Sequence, residues 1–146
     1  MRLYDFAIEG TPDFVPQVGT LSGTPIAAVA GLATLRELKK PGAFEKLHAT
    51  GNRLKGALAS LLKQADVAAQ VVGEPPVFEV LFSPEPVSDY RTSLKADRQM
   101  LRRFIWELWQ HGVFRGYQKF YVSLAHTSED VHKTMLGFSE AIEKLT

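Results

Sequence analysis

The chain has 146 residues, no cysteine, and 17 basic against 16 acidic residues, a formal net charge of +1. That length suits one domain with a real core; the missing cysteines exclude disulfides, thiolate metal sites and cysteine nucleophiles, and the near-zero charge argues against a dedicated nucleic-acid binder. No apolar run is long enough to cross a bilayer and Met1 to Gly10 lacks a signal-peptide core, so the default reading involves no membrane and a cytoplasmic location.

Residues 1–23 read as an arm. Gly10, Pro12 and Pro16 break it, and Leu3, Tyr4, Phe6, Phe14 and Val15 need a surface to rest on. The arm ends in Gly19-Thr20-Leu21-Ser22-Gly23-Thr24-Pro25, a small hydroxyl-bearing loop that runs into an apolar helix. Unpaired backbone N–H groups and the helix dipole make such a helix start suitable for an anion, most naturally a phosphate. A plain helix-entry turn is the other reading of the same residues. The loop is not a P-loop, because the Gly-Lys-Ser/Thr ending is absent. No lysine precedes Lys39, so a covalent cofactor anchor does not lie on this side of the loop.

Pro25 suits a first helical turn, and a long apolar helix is expected from there to Leu38. The stretch Ile26 to Ala33 is apolar nearly all round and calls for close neighbours on several sides. Lys39-Lys40-Pro41-Gly42 stops it. A second helix carries Phe44, Leu47, Gly51, Leu54, Leu58, Leu61 and Ala65 at alternating spacings of three and four. Gly51 on that stripe points either to close approach of another backbone or to a mild helix defect. Val67–Val72 and Val77–Phe82 read as a hairpin closed by Gly73-Glu74-Pro75-Pro76. Residues 83–93 read as a loop.

A third helix is expected over Leu94–His111, with Leu101, Phe104, Ile105 and Leu108 facing inward and Gly112 ending it. Short strands follow at Val113-Phe114 and Lys119–Leu124. A fourth helix starts after Thr127, where Asp130 completes an approximate capping box; it carries Val131, Met135, Phe138, Ile142 and Leu145. The order α, α, β, β, α, β, β, α gives an α+β fold: a small antiparallel or mixed sheet of three to four strands with helices on one face.

The remaining candidates for chemistry are weaker. His126 and His132 are six residues apart, unsuited to one metal on one helix face, and His48 and His111 lack neighbours at ligand spacing. His126, between a strand and a helix N-cap, fits a structural hydrogen bond. Neither Ser22 nor Ser123 lies in a Gly-x-Ser-x-Gly elbow. Arg91, Lys95, Arg98 and Arg102, with Arg103 beside them, form a basic stripe that suits a solvated helix face or a polyanion. Trp106 and Trp109 together fit a helix that meets a partner surface as well as its own core.

Several of these stretches are similar to one family. Gly-Thr-Leu-Ser-Gly-x-Pro before an Ala-rich helix, then Ala33-Thr34-Leu35 and Lys40-Pro41-Gly42-Ala43-Phe44, resembles the class III pyridoxal-phosphate aminotransferases, in the glutamate-1-semialdehyde aminomutase branch. So do Glu85-Pro86-Val87-Ser88-Asp89-Tyr90, Ala96-Asp97 and the segment Phe120 to Asp130. The match covers only the C-terminal third of such an enzyme. It implies that residues 1–23 are the remnant of the large-domain connection and that 24–146 are the C-terminal small domain.

The resemblance places the cofactor-anchoring lysine, the aspartate on the pyridine nitrogen and the ring-stacking aromatic upstream of Met1. It implies a Thr20 that bonds the phosphate of a partner subunit's pyridoxal phosphate, with Gly19 beside it. No catalytic residue and no metal ligand carry over. The chain alone is expected to be inactive and not to bind the cofactor unaided. Its expected partners are a second copy or the missing large domain; the alternative is a stand-alone oligomerisation or interaction module. Thr24 stands where the family usually has asparagine. Gly116-Tyr117-Gln118-Lys119 is shorter than the substrate-facing loop of the aminomutase branch.

Overall fold

A computed structural model describes residues 19, 21, 23–116 and 119–146. The arm expected over 1–23 therefore lies mostly outside the described residues, as do Thr20, Ser22, Tyr117 and Gln118. The chain divides into two compact units, residues 1–40 and 41–146.

In the first unit, α1 spans Pro25–Leu38 with Thr24 as N-cap and Pro25 in its first turn. The bounds match the sequence reading. A long helix packed on several sides is not what forms, however. This helix has 14 residues, none of them buried, and Ile26, Val29, Leu32 and Leu35 are exposed.

The second unit holds the core. Helix α2 (Ala43–Gln64) leads to strands β1 (Ala69–Glu74) and β2 (Val77–Phe82), then to the short α3 (Tyr90–Ser93), α4 (Arg98–Gln110), β3 (Phe120–Tyr121) and α5 (Ser128–Glu143). The sheet is antiparallel in the order β1-β2-β3, with Val71 opposite Val80 and Phe78 opposite Phe120. Alternation in β2 puts Phe78, Val80 and Phe82 on the buried face, where they meet Leu54, Leu58, Phe104, Leu108, Phe138 and Ile142 from the three long helices. Phe120 stacks on Phe78 at 4.9 Å and meets Phe138 edge-on at 5.4 Å. This is the expected α+β architecture with three strands.

The α2 stripe runs through Leu47, Gly51, Leu54, Leu58 and Leu62. Leu62, not Leu61, continues the four-residue spacing into the core, and Phe44 is left exposed while Ala43 is buried. Gly51 is a point of close approach: a Cβ there would lie 2.0 Å from the carbonyl oxygen of Pro75.

Strand β1 starts two residues later than the β-branched run suggests. The Val67 N–H donates to Leu62 O at 3.0 Å, and Asp66 turns at φ 53, so these residues finish the helix. Pairing then continues to Glu74 opposite Val77, leaving Pro75-Pro76 as a two-residue turn.

The loop at 83–93 contains α3, because Asp89 and Thr92 close a reciprocal capping box. The long helix expected from Leu94 begins only at Arg98. Asp97 accepts from Gln99 N and Met100 N and restarts the chain as α4. Val113-Phe114 is not a strand: the Val113 N–H donates to Leu108 O at 2.8 Å and folds back on α4. The expected strand over 119–124 shrinks to Phe120-Tyr121, because the Ser123 N–H turns to His126 Nδ1 at 2.9 Å. The Thr127–Asp130 capping box is fully formed.

Candidate functional site

Candidate ligand sites among the described residues include two places. The first is the entry to α1. Gly19 is exposed with φ 139, and Gly23 takes φ 79, a conformation open to glycine at little cost. Thr24 N donates to Leu21 O at 3.3 Å, and Ala28 N to Thr24 O at 2.9 Å. The Thr24 side chain makes no cap bond and the first turn carries no acidic residue. The Ile26 and Ala27 amides lie in a first turn at the positive end of the helix dipole, with no cap bond from the Thr24 side chain. Thr20, the hydroxyl singled out in the sequence, lies outside the described residues.

The second place is a cavity of about 400 Å³ in the unit 41–146, between the loop after α4, β3 and the start of α5. Its apolar walls include Val113, Phe120 and Val122. Arg115 lies in the lining, 2% exposed, with its guanidinium carbon 4.5 Å from the centre of the Phe120 ring. Burial pushes this group down to about 10, with Glu79 pulling the other way; it remains a cation at neutral pH. The backbone around it is pinned by Trp109 Nε1, which donates to Arg115 O at 2.9 Å.

Lys119, His126, Asp130 and Lys133 complete the polar lining. Backbone and side-chain hydrogen bonds from Thr127 hold the Asp130 carboxyl below its usual range, helped by His126 and Lys133. Lys133 sits 2.8 Å from Glu129, whose hydrogen bond and charge raise its affinity for the proton.

The other candidates separate. His126 makes the structural bond expected of it. His111 gains a carboxylate that its sequence neighbours do not show, Glu140 Oε2 at 2.6 Å. Among the described residues no group of three or more histidines and carboxylates could hold a metal. The basic stripe is broken: Arg91 is on α3, Lys95 pairs with Glu85 at 3.4 Å, and Arg103 donates to Lys144 O. Trp106 is exposed, whereas Trp109 stacks on Phe114 at 6.0 Å. Arg115 went unnoticed in the sequence, since an arginine between Phe114 and Gly116 carries no pattern that marks burial.

No family model matches the sequence. Curated relatives do. The chain is 36% identical over 135 residues to a glutamate-1-semialdehyde 2,1-aminomutase of Methanopyrus kandleri, covering 90% of this chain and 31% of that protein. It is 35% identical over 132 residues to the Thermus thermophilus aminomutase, at 88% and 31%. An omega-transaminase from Sphaerobacter thermophilus superposes with a TM-score of 0.77 and 26% identity, over 97% of this chain and 33% of that one. The chain carries the C-terminal part of the class III aminotransferase fold.

A beta-phenylalanine aminotransferase from Variovorax paradoxus shares the same fold, with a TM-score of 0.74 at 20% identity. This class III domain spans about 31% of the length of the curated relatives it matches. Among its described residues no helix is long and apolar enough to cross a membrane.

Proposed function

We propose that this chain is the C-terminal domain of a class III pyridoxal-phosphate aminotransferase or aminomutase, that it contributes the phosphate end of a cofactor site shared with another subunit, and that it is not catalytic alone. The observation that carries the reading is the coverage: a 36% identical aminomutase matches nearly the whole chain with under a third of its own length.

The residues fit one end of the cofactor and not the other. Gly19 and the uncapped first turn of α1 suit a phosphate, and Thr20 is the hydroxyl that the family resemblance assigns to it. The aldehyde end needs a lysine that can give up its proton. The structure supplies the reverse at Lys133, whose proton is held more tightly by Glu129. Lys40, Lys95 and Lys133 are in exposed ion pairs, and Lys46 donates to Leu124 O. Pyridoxal phosphate, when bound, supplies an electron sink; the part of this chain is to bind and orient the phosphate.

The test is a chimera in which this sequence replaces the matching part of the Thermus thermophilus aminomutase. The chimera should retain pyridoxal phosphate. Thr20→Val should weaken its binding by about tenfold, the loss expected for one hydrogen bond to a charged group. Unchanged affinity in Thr20→Val would remove Thr20 from the site.

The exposed Ile26, Val29, Leu32 and Leu35 favour a second reading, a self-associating module. Light scattering on the purified chain decides it: an oligomer supports that reading, and a monomer at high concentration contradicts it.

A further inference from the structure

Among the described residues β1 pairs with β2 alone and forms one edge of the sheet. Glu74 and Val77 flank the hairpin turn as a bonded pair. The alternation of an antiparallel ladder therefore turns the N–H and C=O groups of Ala69, Val71 and Gly73 away from β2. A row of unpaired backbone groups is a template for another strand. Ala69 and Val71 pack their side chains against the core, which fixes that row in place.

The row is closed at one end. Lys55 Nζ donates to Gly73 O, across 18 residues of sequence. Gly51 makes this reach possible. Its missing Cβ lets α2 meet the backbone of Pro75, and Lys55 follows one turn later on the same helix face. Among the described residues no carboxylate pairs with Lys55. Gly73 itself turns at φ 103 and bends the strand end.

We propose that Lys55 closes the free edge of the sheet and that, without its ammonium group, β1 pairs with β1 of a second copy. An antiparallel pairing centred on Val71 sets Ala69 of one strand opposite Gly73 of the other, so each outward residue meets an outward residue. The ammonium group opposes this pairing twice. It already occupies Gly73 O, and an incoming strand would strip it of water with no carboxylate to compensate. Ala69 and Val71 alone leave a ladder too short to hold. All these residues lie within 41–146, and the proposal stands whether or not Thr20 meets a cofactor.

The test compares the full chain with Lys55→Met and Lys55→Gln, both good helix formers without the charge, and with Lys55→Arg, which keeps it. Amide hydrogen exchange at Ala69 and Val71 is followed as protein concentration rises, beside sedimentation. In the parent and in Lys55→Arg both amides should stay unprotected at every concentration. In Lys55→Met or Lys55→Gln their protection should rise by about tenfold or more as a dimer forms. Association that leaves these two amides unprotected involves another surface and counts against the proposal. Protection already present in the parent, or no difference between the parent and the two uncharged variants, would overturn it. So would a Lys55→Arg protein that pairs as they do.

Discussion

Gly51→Ala is the sharpest probe of how the hairpin sits on α2. Alanine is the better helix former by about 1 kcal/mol, so propensity alone predicts a more stable protein. The structure predicts the opposite. The new Cβ would lie 2.0 Å from Pro75 O, 2.3 Å from its carbonyl carbon and 2.9 Å from its Cα, all backbone atoms of a tight turn. Ordinary contact begins at 3.4 Å, so the hairpin and α2 must separate by more than an ångström. That shift loosens Leu54 and Leu58 against the sheet. Overpacking of this kind costs about 3 kcal/mol at the upper end of its usual range, leaving a net loss of about 2 kcal/mol after the propensity gain. Urea unfolding at constant m measures it. Gly56→Ala, on the same helix with nothing within 4 Å of its Cβ, should instead gain up to about 1 kcal/mol. A Gly51→Ala protein as stable as the parent would refute the close approach.

Leu58→Ala removes a fully buried side chain and should cost about 3 kcal/mol in the same assay, the mid-range for such cavities. Thr127→Ala deletes the α5 N-cap and should cost about 1 kcal/mol. Asp130→Asn should show a pH signature. The Asp130 carboxyl is held below its usual range in the folded chain. The advantage of wild type over the variant is therefore full above about pH 4 and fades as the pH falls through the lowered folded value. A difference that stays constant down to pH 2 would contradict the capping account.

Where local chemistry was self-sufficient, the fold was legible in the sequence. Pro25 and the Lys-Lys-Pro-Gly stop bound α1, and Thr127 with Asp130 opens α5 as expected. Gly51 on an apolar stripe offered a close approach or a helix defect, and the backbone of Pro75 decides for the close approach. Errors arose where tertiary bonds took over. The Val67 N–H goes to Leu62 O, Val113 N to Leu108 O and Ser123 N to His126 Nδ1, and each removes residues from a β-branched run that read as strand. Asp89 caps a short helix inside the expected loop, and Asp97 delays the start of the expected helix to Arg98. The cavity was not legible: Leu54 is far in sequence from Arg115, Lys119 and Lys133, and only the fold brings it to them.

The central proposal is that this chain does not anchor pyridoxal phosphate by itself. Incubation of the purified chain with pyridoxal phosphate, reduction with borohydride and peptide mapping by mass spectrometry test it directly. The account predicts scattered, substoichiometric labelling of surface lysines. One adduct per chain at a single lysine would contradict it.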